Sequence, residues 1–186
     1  MKVLVYDLPS ENHKVLQSNR GLYSKVRATR VWCVERLHKL GVQCTMSVIL
    51  VSPEREGLIE DAITSVKARY LGLSLALREG GVDLMMEPLI RVLPLTSEQE
   101  ATMRELGARR LIEVIDSGIE RINRLMEGLD EITEESQRRT VVYNLNRFES
   151  EVQDLASRAR EVGIELPRDF EYLVSLIDEA RRRLQS

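Results

Sequence analysis

The stretch "VQCTMSVILV", residues 42–51, alternates residue by residue. Val42, Cys44, Met46, Val48 and Leu50 would share one sheet face, because successive strand side chains point to opposite sides. The stretch lies between two segments of helical period, and its reading as a strand makes the first half of the chain a mixture of strands and helices. Upstream, Ser24 to Leu40 is expected as a helix, with Val26, Cys33, Leu37 and Leu40 on one side and Gly41 as its stop. Downstream, "SPERE" at 52–56 reads as a helix start. Ser52 can cap, Pro53 suits the first helical position, and Glu54 and Glu56 favour the positive end of the helix. Ile59, Ile63, Val66, Tyr70, Leu73 and Leu77 then repeat until Gly80-Gly81. "VLVY", 3–6, and "LIRVLPL", 89–95, read as further strands, and Pro94 puts the second at an edge or a strand end. Residues 8–23 lack a period, hold many turn formers, and are expected as a long loop.

From residue 97 onward the pattern changes to helix throughout. Thr96 with Gln99 resembles a capping box. Ile112, Ile115, Ile119, Ile122, Met126 and Leu129 make one apolar seam. Val141, Leu145, Phe148, Val152, Leu155, Ala159 and Val162 make a second, on a helix expected over 136–162. After Gly163 and Pro167, Phe170, Leu173, Ile177, Ala180 and Leu184 make a third. Seams alternating at three and four predict an antiparallel helical hairpin or three-helix coiled coil. Two arrangements fit: a compact bundle packed on the sheet, or a projecting arm that dimerises or grips a partner. The expected domains are therefore 1–96 and 97–186.

The charge distribution follows the same division. Residues 1–96 carry a net charge of +3 and all the lysines, and the remainder carries −6. With so few aromatics, the core must be built from Leu, Ile, Val and Met. Cys33 and Cys44 match no zinc or redox spacing and are expected as buried apolar residues. No apolar run reaches the roughly 20 residues needed to span a bilayer. The start resembles no signal peptide, and a reducing cytoplasm is the expected setting.

No zinc, P-loop, dinucleotide or hydrolase motif is present. His13 and His38 are the only histidines, and His38 is expected on the surface near a helix end. Asp7 is the one catalytic candidate, because it stands where the first strand leaves the sheet, and ligands often gather at strand C-terminal ends. A hard cation such as Mg²⁺ wants one or two carboxylates plus water and phosphate oxygens, so a lone Asp7 needs help from a symmetry mate. The competing reading makes Asp7 a turn residue before Pro9. The second signal is basic. Lys25, Arg27, Arg30, Arg36 and Lys39 face one acid, Glu35, in this region. Lys25, Trp32, Arg36 and Lys39 fall within about 60° on a helical projection. Such a stripe can meet phosphates and stack on a base or sugar; a solvated helix face is the alternative.

Together these pieces resemble the small second CRISPR-adaptation protein, a ferredoxin-like family that pairs with the spacer integrase, and its relatives, the virulence-associated D-type RNase toxins. "VLVYD" at 3–7 matches the family's opening strand ending in Tyr-Asp. Residues 24–40 match its basic helix, Ser47-Val48 its middle Ser-Val, and "IRVLPL" at 90–95 its closing strand. The likeness covers about the first half; Thr45 stands where the family usually has Gln, the 8–23 loop is longer, and 97–186 has no counterpart.

The resemblance implies a ferredoxin-like βαβ(β)αβ domain; with the antiparallel helical or coiled-coil segment read from the seams, the chain is expected to be α+β. It implies a homodimer in which the strand-end aspartates of two subunits face each other and share Mg²⁺, so Asp7 is the expected metal and catalytic residue. Several members act as dimeric DNA-binding scaffolds that need no nuclease activity, so enzyme or not stays open. The expected function is nucleic-acid binding through Lys25, Arg27, Arg30, Trp32, Arg36 and Lys39, with metal-dependent nuclease activity either real or vestigial. The alternative is a non-enzymatic adaptor that dimerises and recruits a protein through its helical arm, which the interleaved Arg and Glu favour.

Overall fold

The computed structural model describes residues 1–17, 19–129, 132 and 134–185. The chain is α+β and divides into two compact units, Met1–Met103 and Arg104–Ser186.

The first unit holds a four-stranded sheet. In chain order it contains β1 (Lys2–Asp7), α1 (Lys14–Gln17), α2 (Arg20–His38), β2 (Val42–Thr45), β3 (Val48–Val51), a 3-10 turn over Pro53–Leu58, α3 (Ile59–Glu79) and β4 (Leu89–Pro94). The sheet order is β2-β3-β1-β4, and each neighbouring pair is antiparallel. Leu4 stands opposite Ile49 and Val92, and Tyr6 opposite Ile90, so these residues share a face. That face packs on α2 through Val26, Cys33 and Leu37, and on α3 through Val66, Tyr70, Leu73 and Leu77, in one apolar core. The other face buries Val3, Leu50, Val42 and Cys44. There the Cys44 thiol donates to the Met103 carbonyl at 3.2 Å, which ties the first turns of α4 (Ser97–Glu127) to the sheet.

Residues 42–51 form a hairpin and not a single run. Thr45 pairs with Val48, and Met46 and Ser47 make the turn, with Met46 85% exposed. A two-residue turn reverses the inside-outside parity of a strand. The register shift between Gln43 and Thr45 reverses it back. Val42, Val48 and Leu50 therefore keep one face, and the sequence alternates as though no turn existed. Gly41 fits tightly before β2: a Cβ there would stand 1.9 Å from the Leu50 carbonyl oxygen.

Two helix starts differ from expectation. The long 8–23 stretch holds α1, whose Leu16 is fully buried, and the first turn of α2. The Asn19 side chain caps α2 by accepting from the Leu22 N–H at 3.1 Å, so the helix begins at Arg20. Ser18 lies outside the described residues. Ser52 makes no side-chain cap bond; Pro53 opens a 3-10 turn, and α3 begins only at Ile59. The Thr96–Gln99 capping box is reciprocal: Thr96 N–H donates to Gln99 Oε1 at 2.9 Å, and Gln99 N–H to Thr96 Oγ1 at 3.4 Å.

The second unit is helical. It contains the rest of α4, α5 (Glu135–Glu161) and α6 (Asp169–Gln185). The α6 seam is buried as expected at Phe170, Leu173, Ile177, Ala180 and Leu184. On α5, Leu145, Val152 and Ala159 are buried, and so is Val162 just beyond its end. On α4 the buried stripe is Leu111, Ile115, Gly118 and Ile122, and Ile112 is 45% exposed. Gly118 explains the difference, because its hypothetical Cβ would stand 3.1 Å from both Leu173 Cδ2 and Phe148 Cζ. Close helix approach is bought there by having no side chain, which an apolar pattern does not reveal. The exposed faces carry Arg–Glu pairs four residues apart, such as Arg109–Glu105, Arg124–Glu120, Arg139–Glu135 and Arg147–Glu151. Among the described residues, no helix is long and apolar enough to cross a membrane.

Candidate functional site

The buried stripe of α2 runs through Leu22, Val26, Thr29, Cys33 and Leu37. At 100° per residue it separates the basic residues into two flanks. Lys25, Trp32, Arg36 and Lys39 lie on one flank, and Arg27 and Arg30 on the other. Arg27 nevertheless lines one surface pocket with Trp32, so the two flanks meet across the exposed face of α2. On the first flank the Arg69 guanidinium of α3 stacks 5.4 Å from the centroid of the Trp32 ring, a cation–π contact that fixes the indole beside the cations. None of Lys25, Arg27, Arg30, Arg36 and Lys39 forms a side-chain ion pair among the described residues.

The second flank faces the C-terminal end of β1. There Asp7, Glu11, Arg27, Arg30, Glu35 and His38 line a cleft of about 500 Å³. The Tyr6 hydroxyl forms its floor and donates to the Met46 carbonyl at 2.9 Å. Because the phenol has a single proton, the 2.8 Å contact with His38 Nε2 must run from the imidazole N–H to the phenol oxygen. His38 is therefore hydrogen-bonded within the cleft, where a surface position was expected. Burial pushes the Tyr6 phenol above its ordinary value, and Arg30 opposes the push. The Tyr70 hydroxyl donates to the Pro9 carbonyl at 3.0 Å, and this bond holds the chain leaving β1 against α3. Glu11 Oε2 is buried without a hydrogen-bond partner among the described residues.

Asp7 is exposed at the mouth of this cleft. Among the described residues no three His, Cys, Asp or Glu side chains come together as a metal site. Asp7 and Glu11 are the acids that line the cleft from β1 and the chain beyond it. Cys33 and Cys44 are free and buried, and desolvation pushes both thiols up to about 11. Both stay protonated near neutrality, which removes them as nucleophiles.

Glu11 and His38 are cleft residues that the sequence alone does not place at the site. His38 carried a signal. Arg27, Arg30, Val34 and His38 follow helical spacing along one side of α2, so whatever faces Arg27 also faces His38. Glu11 carried none: it lies two residues beyond the Pro9 carbonyl, which accepts a bond from Tyr70, far away in the chain. Comparison with protein families, with characterised proteins and with solved structures returns no match.

Proposed function

We propose that the chain is a dimeric nucleic-acid-binding protein, cytoplasmic, and related in fold to the ferredoxin-like CRISPR-adaptation family. The βαββαβ order of unit 1, with its sheet read β4-β1-β3-β2, supports the ferredoxin-like assignment. The observation that carries the functional reading is the flank of Lys25, Arg36 and Lys39 beside Trp32. Its cations have no ion-pair partner among the described residues, and an indole lies among them. Phosphates supply the missing anions, and the ring offers a stacking surface for a base or sugar. Arg27 and Arg30, on the other flank, are left out of this contact. Asp7 enters only as half of a site that a second copy would complete.

Filter binding of a duplex DNA and of a single-stranded RNA at about 50 and 200 mM salt tests this reading. Retention should fall steeply with salt. Arg36→Ala with Lys39→Ala should flatten the log–log salt dependence by about two, since each phosphate contact contributes about one. No retention at low salt, or a slope unchanged in the double variant, overturns it.

A second reading rests on a different observation. Ile112, Val114, Tyr143 and Tyr172 are exposed on the helical unit. Large apolar side chains left open in this way suit an adaptor that recruits a protein through its helices.

A further inference from the structure

The cleft at the end of β1 carries charges of both signs that do not neutralise one another. Arg27 and Arg30 come from α2, Asp7 and Glu11 from β1 and the chain beyond it, and no ion pair joins them among the described residues. Arg30, Glu11 and Asp7 each act electrostatically on the buried Tyr70 hydroxyl. The Tyr70 hydroxyl is pushed upward chiefly by burial and then by Cys33; Arg30 opposes this, and Glu11 and Asp7 add to it. Glu11 Oε2 is buried and accepts no hydrogen bond among the described residues. A buried carboxylate oxygen without a donor is costly, and an incoming N–H or O–H would relieve it.

The chemistry of the walls narrows the ligand. A simple cation would satisfy Glu11 but would be repelled by Arg27 and Arg30. A simple anion, or a polyanionic strand, would meet the guanidiniums but would crowd against Asp7, Glu11 and Glu35. Only a molecule with both charges answers both sets. The rest of the lining is mixed: Leu8, Val31, Val34 and Met46 are apolar, and Tyr6, His38, Gln43 and Ser47 are polar. A volume of about 500 Å³ suits a small molecule.

We propose that this cleft binds a small aliphatic α-amino acid. Its carboxylate rests on Arg27 and Arg30, its ammonium donates to Glu11 and Asp7, and its side chain lies on Val31 and Val34. Guanidinium groups match a carboxylate in geometry as well as charge. The inference shares Asp7 with the proposed dimer half-site but uses none of Lys25, Trp32, Arg36 and Lys39.

Isothermal titration of the full chain with L-leucine tests it. Three analogues dissect the contacts: L-leucinamide lacks the carboxylate, 4-methylpentanoate lacks the ammonium, and glycine lacks the side chain. L-leucine should bind in the millimolar range or tighter, and each analogue should bind at least about tenfold more weakly. Glu11→Gln and Arg30→Gln should each weaken L-leucine by a similar factor, with thermal melts showing that both variants remain folded. The proposal is overturned if L-leucine gives no heat of binding. It is equally overturned if leucinamide or 4-methylpentanoate binds as well as leucine, or if both folded variants bind like the wild type. Glycine binding as tightly as leucine would remove the apolar wall from the site and overturn the aliphatic assignment. Filter binding on the same samples reports the nucleic-acid reading separately.

Discussion

Gly41→Ala should be among the most damaging single-methyl changes in the chain. The new Cβ would stand 1.9 Å from the Leu50 carbonyl oxygen, 2.8 Å from its carbon and 3.1 Å from Ile49 Cγ2. Ordinary carbon–oxygen contacts lie near 3.3–3.6 Å, so the shortfall is about 1.5 Å. The obstacle is backbone and cannot rotate away. Leu50 sits in β3, which pairs with both β1 and β2, so relief requires pulling apart the middle of the sheet. Overpacking costs about 1–3 kcal/mol when side chains can yield, and the upper end or more applies here. Against a total stability of about 5–15 kcal/mol, that is a large loss. Urea titration followed by tryptophan fluorescence is the suitable assay, because Trp32 is the only tryptophan and lies in unit 1. The midpoint should drop by about 1 M or more. Gly72→Ala is the control: nothing lies within 4 Å of its Cβ, and alanine inside α3 should stabilise by about 0.5–1 kcal/mol. A Gly41→Ala midpoint equal to that of the wild type would refute the close packing of Gly41 against β3.

Other outcomes follow from the same structure. Ile122 is 2% exposed, so Ile122→Ala should cost about 2–5 kcal/mol, read as a lower midpoint in far-ultraviolet circular dichroism. Asn19→Ala should cost about 0.5–2 kcal/mol through loss of the α2 cap, visible in the same Trp32 titration. Burial raises Cys33 and Cys44 from 9.0 to about 11, so the folded chain holds these protons longer than the unfolded one. Their contribution is complete below pH 9 and is lost as pH rises through 11, each thiol giving up about 1.4 kcal/mol for every pH unit crossed in that window. A melting temperature that stays flat between pH 9 and 11 would contradict that burial. Asp7→Asn should change stability by less than about 0.5 kcal/mol, because Asp7 is exposed and has no partner among the described residues. If sedimentation shows wild type and Asp7→Asn responding alike to Mg²⁺, Asp7 is a strand end.

The parts of the fold legible in the sequence were those governed by local rules. The α6 seam from Phe170 to Leu184 and the Thr96–Gln99 box follow from spacing and capping chemistry alone, and both stand as expected. The hairpin escaped because its turn and its register shift cancel in the apolar pattern, and Met46-Ser47 lacks the glycine or asparagine that marks most tight turns. The α4 stripe was read one residue too far around because Gly118 contributes contact by absence. The site divides in the same way. Asp7 at the end of β1 and the basic run of α2 were visible, but the partition of that run into two flanks depends on which side of α2 is buried. The charge balance of the cleft depends on Glu11, which lies two residues beyond the Pro9 carbonyl that accepts a long-range bond from Tyr70.

The ion-pair ladder of the helical unit is built with arginine alone, and the lysines of the chain, Lys2, Lys14, Lys25, Lys39 and Lys67, all fall in unit 1. Any acylation aimed at side-chain amines must therefore act on one unit only. It would neutralise Lys25 and Lys39 on the basic flank of α2 and leave every charge of the helical unit as it was. A single enzyme acting on lysines could thus alter the electrical character of one half of the molecule without touching the other.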